Sequence, residues 1–269
     1  MTMPFVLIDS ATMLRRDLRR LRRYPSLTFF IAAIPVVLLL MFVYVLGGAL
    51  GAGLGGAGVN GPGGGRAAYA AYVMPGIFLV TVAGVAQGTA ISVAMDMTSG
   101  IIARFKTMAV SRASVLTSHV VASVIQTILA VALVLGVGFL IGFRPTTGPV
   151  EWLAAIGLLA LTALAVSWLS IARGLAAGSV ETASNSPMFL MLLPFLGSGF
   201  VPTASMPDPL RWVAENQPFT PIMETLRGLL LGASIGDRGV LAVGWGVAIA
   251  IAGYLWARRL YERPPAAAA

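Results

Sequence analysis

The sequence contains no cysteine, one histidine (His119) and one lysine (Lys106) among its 269 residues. The lack of cysteine excludes disulfides and thiolate metal sites, and a single histidine cannot build a histidine cluster for a metal ion. Charged residues make up only 10% of the chain, whereas soluble domains carry about 25%. Because so few charges cannot cover a water-facing surface, the composition indicates an integral membrane protein.

Nucleotide-binding motifs are missing or misplaced. A P-loop needs a glycine directly before its lysine, but Lys106 follows Phe105. The pattern G-x-G-x-x-G recurs in the glycine-rich stretch 47–65, for example at Gly51, Gly53 and Gly56. A dinucleotide site needs a strand before this pattern, whereas here a long apolar run precedes it. We therefore interpret residues 47–65 as a flexible outer loop.

Six apolar runs predict six membrane-spanning helices, because a crossing helix needs about 20 mostly apolar residues. The predicted spans are Leu27–Leu46, Tyr72–Met95, Val120–Phe143, Trp152–Ala172, Ser186–Pro202 and Gly239–Ala257. The fifth run is shorter than the others and is interrupted by Pro187 and Pro194. The predicted fold class is thus an all-α integral membrane protein.

A seventh apolar stretch, Phe219–Gly236, contains Glu224 and Arg227. A charge at the bilayer centre costs at least roughly 2.5–3.5 kcal/mol, so this stretch is not expected to cross. We expect a short re-entrant helix in the outer leaflet. Thr220 would cap its start, with Pro221 at the first helical position, and Gly232 would end it.

The distribution of basic residues predicts the orientation. With six spans, most of the 18 Lys and Arg residues fall on the side that carries both termini, so both termini are expected in the cytoplasm. Leu14, Leu18 and Leu21 share one helical face among arginines, which is typical of an interfacial helix. Beside a membrane span such arginines meet anionic lipid more often than nucleic acid. We divide the chain into an interfacial segment 1–26, a permease domain 27–257 and a cytoplasmic tail 258–269.

Two stretches carry ordered motifs. The loop after the second span has an acidic residue, a glycine, a basic–hydrophobic pair and a closing arginine, at Asp96, Gly100, Arg104, Phe105 and Arg112. The segment before the last span has F-x-P, M-P, W, Q-P and R-G, at Phe200, Pro202, Met206, Pro207, Trp212, Gln217, Pro218, Arg227 and Gly228. In this order and spacing the chain resembles type-2 ABC transporter permeases of the daunorubicin-resistance kind. Asp96 departs from the usual Glu of that family, and Ala109 from its usual Pro.

The resemblance implies a two-part exporter for hydrophobic or amphipathic compounds, either drugs or lipids. This chain would supply the membrane path without hydrolysing ATP, and it would hold no cofactor. Two copies of a separate ABC ATPase would bind ATP and magnesium on the cytoplasmic face of the cell membrane. A second permease subunit, identical or different, would complete the path.

The resemblance also implies three groups of functional residues. The group coupled to the ATPase comprises Asp96, Gly100, Arg104, Phe105, Lys106, Met108 and Arg112. The substrate path would be lined by Phe78, Val82, Val85, Gln87 and Phe189. Gln87 and Gln126 are polar residues within spans, and each would either face the path or hydrogen-bond a neighbouring helix. The outer re-entrant region comprises Pro202, Pro207, Trp212, Glu224 and Arg227.

Three alternatives remain open at this point. The stretch Gly100–Arg112 has an apolar stripe suited to docking on a partner, but a membrane-facing turn with snorkelling basic residues has the same pattern. A polysaccharide exporter would line its path with aromatic rings, of which only Phe78 is well placed. A membrane scaffold without transport is also compatible with the composition.

Overall fold

The computed structural model describes residues 25–48, 65–98, 112–177, 179–185 and 188–262, and every regular element in these ranges is helical. In chain order the helices are α1 (Pro25–Met41), α2 (Gly65–Thr98), α3 (Arg112–Leu140), α4 (Pro149–Ala176), α5 (Val180–Asn185), α6 (Met188–Leu192), α7 (Asp208–Asn216), α8 (Phe219–Leu231) and α9 (Arg238–Glu262). A π-helical turn, Phe42–Leu46, continues α1, and a 3-10 turn, Thr203–Ser205, precedes α7. The all-helical prediction is confirmed for these residues.

Four helices are long and apolar enough to cross a membrane, namely α2, the stretch Leu116–Leu140 of α3, α4 and α9. They contain the predicted second, fourth and sixth spans and all but the last three residues of the third, so the chain is a multi-pass membrane protein. The predicted first span falls in α1 and its π-helical continuation, where Ala33–Leu46 is a shorter apolar helix. The predicted interfacial helix before Pro25 and the glycine-rich residues 49–64 lie outside the described residues.

The predicted fifth span, Ser186–Pro202, does not form one continuous helix. Its described residues form the short helix α6, which ends at Leu192, followed by turns over residues 193–200. Pro194 lacks a backbone N–H, and its ring disfavours the helical position of the carbonyl four residues earlier, which favours a helix end here. Proline alone does not decide this, because α1 and α2 continue through Pro35 and Pro75. A fifth membrane-spanning helix is not confirmed for this run, which the sequence already marked as interrupted by proline.

The same segment nevertheless runs alongside α2 in the opposite direction. The Gln87 side chain donates to the carbonyl of Ser184 at 2.8 Å, and the Tyr69 hydroxyl donates to the carbonyl of Phe200 at 3.3 Å. An α-helix rises about 27 Å between two residues that are 18 positions apart. Residues 184–200 therefore cover a distance close to the roughly 30 Å thickness of a bilayer core.

Helix α2 lies at the centre of the bundle. Its most apolar window is 72% buried, compared with 33% for α3 and 22% for α9. It contacts α1, α3, α4 and α8, so it has neighbours on several sides. A helix buried in this way must be apolar around its circumference, and α2 is apolar on nearly every side between Ala68 and Ala83. The outer faces of α3 and α9 are left for lipid.

Helix α9 packs most extensively on α4. A Cβ atom added at Gly246 would lie 2.9 Å from the side chain of Leu161, and one at Gly253 would lie 2.7 Å from the backbone nitrogen of Leu169. These glycines are seven positions apart and therefore share one face of the helix. Small residues let membrane helices approach closely, so this face of α9 fixes its position on α4.

Helix α8 confirms the short helix expected before the last span, but its start differs from the prediction. The helix begins at Phe219 with Pro218 as the flanking residue, so Thr220 is not its cap and Pro221 is its third residue. The Thr220 hydroxyl is buried and donates instead to the carbonyl of Ala214 in α7. The predicted end is confirmed, because Gly232 adopts φ 74°, a left-handed conformation that favours glycine.

Candidate functional site

The predicted coupling residues fall mostly outside the described part of the chain. Gly100, Arg104, Phe105, Lys106 and Met108 all lie there, so the helix predicted over this stretch stays a prediction. The two ends of the stretch are described. Asp96 lies in the last turn of α2, and Arg112 is the first residue of α3.

Asp96 meets a residue that was not among the predicted coupling residues. Its Oδ2 atom lies 3.4 Å from Nε2 of His119, and both side chains are only 5% exposed. The contact joins the end of α2 to the beginning of α3. The sequence alone does not indicate this pairing, because it depends on how the two antiparallel helices are aligned.

A line of buried polar side chains continues from this contact into the bundle. The hydroxyls of Thr89 and Ser123 lie 3.0 Å apart, and the Ser167 hydroxyl donates to Ser123 at 2.8 Å. Asp96 lies seven positions after Thr89, and His119 four positions before Ser123, so the helical period puts each pair on one face. We call these five residues the polar seam. It connects α2, α3 and α4.

The residues predicted to line the substrate path occupy two different environments. Phe78, Val82 and Val85 lie on α2 and are at most 2% exposed, whereas Phe189 on α6 is 57% exposed. The structure therefore does not bring the four side chains together on one open surface. The first three are core residues of the single chain, and their contact with substrate stays a prediction.

The two glutamines in the predicted spans differ in their hydrogen bonds. Gln87 bonds the carbonyl of Ser184 and so ties α5 to α2. The side-chain nitrogen of Gln126 is buried and has no hydrogen-bond partner among the described residues. Of the two roles left open by the sequence, Gln87 thus has the helix-bonding one.

Arg227 is the central residue of the region that the sequence predicted to be outer and re-entrant. Its guanidinium donates to the carbonyl of Ser198 at 2.7 Å and to that of Tyr72 at 3.2 Å, and it stacks over the Tyr72 ring at 3.9 Å. The side chain therefore joins three parts of the chain: α8, α2 and the turns over residues 193–200. Hydrogen bonds from a charged donor are stronger than neutral ones, so Arg227 holds this non-helical segment in the bundle.

Two further contacts fix the same turns. A Cβ atom added at Gly76 would lie 2.8 Å from the carbonyl oxygen of Gly199, so the two backbones are in direct contact. The buried Gln217 side chain donates to the carbonyl of Leu193 at 3.1 Å. The carbonyls of Leu193 and Ser198 are thus bonded by two side chains, one from the connection between α7 and α8 and one from α8 itself.

The remaining outer residues lie nearer the surface. Glu224 pairs with Arg238 at 3.1 Å and so connects α8 to the first residue of α9. Trp212 on α7 is 68% exposed. Pro207 flanks the start of α7, and Pro202 flanks the 3-10 turn.

Helix α7 also carries an exposed ion pair. Arg211 donates to Glu215 at 2.8 Å, one turn further along the helix. The hydrogen bond from Arg211 holds the pKa of Glu215 below its ordinary value. With basic and acidic groups beside the exposed Trp212, α7 is amphipathic, as expected for a helix at a membrane surface.

Comparison with known proteins supports the resemblance noted in the sequence. A profile of the ABC-2 type transporter family matches residues 10–231. A daunorubicin resistance ABC transporter permease protein, DrrB1, from Streptomyces coeruleorubidus is 26% identical over 239 residues, which cover 88% of this chain and 80% of the relative. A protein described as a probable doxorubicin resistance ABC transporter permease, DrrC, from Mycobacterium tuberculosis is 24% identical over 162 residues, which cover 60% of this chain and 59% of the relative.

Proposed function

Because the chain belongs to the ABC-2 type transporter family, we propose that it is the transmembrane subunit of an ATP-driven exporter. The family match carries this proposal, since it extends from residue 10 to residue 231 and includes both motif-bearing stretches. The relative that matches over most of its length is named as a permease protein of a drug-resistance ABC transporter. In such an assembly this chain supplies the membrane path.

The substrates are hydrophobic or amphipathic compounds, drugs or lipids. Two observations support this class. The relatives are named for resistance to daunorubicin and doxorubicin, and the central helix α2 is apolar over most of its length. A path bordered by such a helix would contact its substrates through apolar surface rather than through fixed charges.

A separate ABC ATPase drives transport from the cytoplasmic side of the cell membrane, where both termini of this chain lie. Two ATPase copies bind ATP and Mg²⁺, and a second permease subunit, identical or different, completes the path. ATP binding shifts the permease pair between inward-open and outward-open states, as a ligand shifts any two-state equilibrium by its preference for one state. Separation of the helices around α2 in one of these states would expose Phe78, Val82 and Val85 to substrate.

The stretch Gly100–Arg112 docks on the ATPase in this proposal. Ile101, Ile102, Phe105 and Met108 form its apolar stripe, which enters a groove of the partner as amphipathic helices do. Arg104, Lys106 and Arg112 flank the stripe. Their charges steer an acidic partner surface and contribute more to the rate of association than to its strength.

Association with the ATPase tests this proposal. The wild-type chain in lipid nanodiscs should bind a P-loop ATPase encoded beside it. The double variant Arg104→Glu/Phe105→Ala should bind at least about tenfold more weakly, which corresponds to roughly 1.4 kcal/mol. Arg211→Glu, on the exposed face of α7, serves as the control and should bind normally. Unchanged affinity of the double variant would show that this stretch is not the docking element.

A further inference from the structure

We propose that Asp96 and His119 are positioning residues that hold the two ends of segment 99–111 together, so that ATPase movement reaches the helix bundle. The inference rests on the proposed function for its coupling role. It adds His119 to the residues implied by the family motif, and it assigns Asp96 a contact within the chain.

The position of the pair is the first argument. Asp96 lies two residues before the end of α2, and His119 lies seven residues after the beginning of α3. The 3.4 Å contact between their side chains therefore closes the base of the loop that contains segment 99–111. Any force applied to the loop must pass through this base to reach the membrane helices.

The surroundings of the pair are the second argument. Beside it, Val93 of α2, Leu116 of α3 and Ile171 of α4 belong to one buried apolar cluster. One turn further along α3, Ser123 meets hydroxyls from α2 and α4 in the polar seam. The contact is thus attached to three packed helices, and a displacement of the loop base would move them as a unit.

The chemistry of the pair is the third argument. Polar groups buried in a low-dielectric bundle are costly without a polar neighbour, and each of these two groups has the other within 3.4 Å. Apolar side chains of similar size could pack there in several alignments, whereas a buried polar pair favours one alignment of its two helices. The pair therefore fixes the relative position of the helix ends.

When the pair is broken, we expect ATP hydrolysis to be uncoupled from export. The ATPase could still dock and hydrolyse ATP, because its docking surface lies on the loop. Movement of the ATPase would then shift the ends of α2 and α3 relative to each other and would not move the helix bundle. We therefore expect less transport per ATP hydrolysed, with ATP hydrolysis largely retained.

Spin labels test the holding role without any ATPase. The natural chain has no cysteine, so labels attach only at Met97→Cys on α2 and Val121→Cys on α3, which replace side chains that are 39% and 38% exposed. In lipid nanodiscs the label-to-label distance distribution should broaden with Asp96→Asn and with His119→Gln. It should stay narrow with Asp96→Glu, which keeps the carboxylate, and with the control Thr162→Ala on α4, whose hydroxyl donates to the carbonyl of Leu158 in its own helix and lies outside the polar seam. Distance distributions of equal width in the wild type and in all variants would overturn the proposal.

Transport per ATP hydrolysed in proteoliposomes tests the coupling role. Asp96→Asn and His119→Gln should each lower this ratio about 5- to 10-fold, a typical size for coupling between two sites. The double variant should be no worse than the more affected single variant, since all three lose the same contact. Asp96→Glu should keep most of the wild-type ratio, and the control Thr162→Ala should leave it unchanged.

The possible failures are distinguishable. A wild-type ratio in folded Asp96→Asn, or additive losses in the double variant, would overturn the coupling role while leaving the proposed function intact. A wild-type chain that transports nothing with its ATPase would refute the proposed function and the coupling role together. The spin-label widths would still decide whether the pair holds the helix ends.

Discussion

Arg227 shows how a single residue stabilises an irregular backbone inside a membrane protein. The turns over residues 193–200 lack helical hydrogen bonds, and non-helical backbone inside a bilayer requires protein or water partners. The guanidinium supplies donors to the carbonyls of Ser198 and Tyr72 at the same time. A planar group with several donors suits this task better than the compact ammonium of lysine.

Arg227→Gln should therefore destabilise the folded chain. The loss leaves buried carbonyls without donors, which costs about 1–3 kcal/mol for each such group. Thermal unfolding in detergent micelles should show a lower midpoint for Arg227→Gln and an intermediate one for Arg227→Lys. The control Arg211→Gln, on the exposed face of α7, should unfold like the wild type. Equal midpoints for Arg227→Gln and the control would contradict this role.

Phe78 combines a structural position with a predicted functional one. Because its ring is 2% exposed, Phe78→Ala should destabilise the chain by about 3–5 kcal/mol through cavity formation. The larger apolar replacement Phe78→Leu should retain more of the fold, and its export rate, measured per folded molecule, should still differ from wild type if the ring also meets substrate. A wild-type rate in folded Phe78→Leu and Phe78→Ala would leave Phe78 a core residue only.

At the scale of elements, the sequence predicted the long helices and missed the path of the broken segment. Apolar length was sufficient for α2, α3, α4 and α9, although α2, α4 and α9 extend beyond the predicted runs at both ends, and α3 begins earlier and ends three residues earlier than its run. Pro194 indicated an interruption of the helix, but a proline does not determine the course of the chain beyond it. The course of the turns depends on partners that are distant in sequence, such as Arg227. The hydrogen bond from the Thr220 hydroxyl to the carbonyl of Ala214 likewise depends on how α7 and α8 pack.

The contact between α2 and the turns can be tested at one glycine. A Cβ atom at Gly76 would lie 2.8 Å from the carbonyl oxygen of Gly199, whereas one at Gly84 would meet nothing within 4 Å. Gly76→Ala should therefore destabilise the chain by about 1–3 kcal/mol through overpacking. The matched control Gly84→Ala, on the same helix, should be neutral or slightly stabilising because alanine favours helices. Equal unfolding midpoints for the two variants would argue against this close approach.

At the scale of the whole molecule, composition predicted the membrane class, and motif order predicted the family. The site was predictable only in part. The acidic residue of the loop motif, Asp96, could be selected from the sequence, whereas His119 could not. Their contact depends on the relative alignment of α2 and α3, which apolar patterns leave undetermined because any of several alignments buries similar surface.

The orientation of the chain gives a prediction at this scale. Reporters fused after residues 65, 148 or 215 should lie outside the cell, and those fused after residues 105, 180 or 262 should lie inside. This arrangement follows from the excess of basic residues expected on the cytoplasmic side. Reporter activity in intact cells measures it directly. An outside signal after residue 262 would contradict cytoplasmic termini and an even number of crossings.

ATP-dependent transport by the purified components is the most direct test of the central claim, that this chain is the membrane path of an exporter driven by a separate ATPase. Proteoliposomes containing the chain and its partner ATPase, with the ATPase facing outward, would be supplied with doxorubicin. We predict accumulation inside when ATP and Mg²⁺ are added, and none with a non-hydrolysable ATP analogue or without this chain. Accumulation that persists without ATP, or that the ATPase alone supports equally well, would contradict the account.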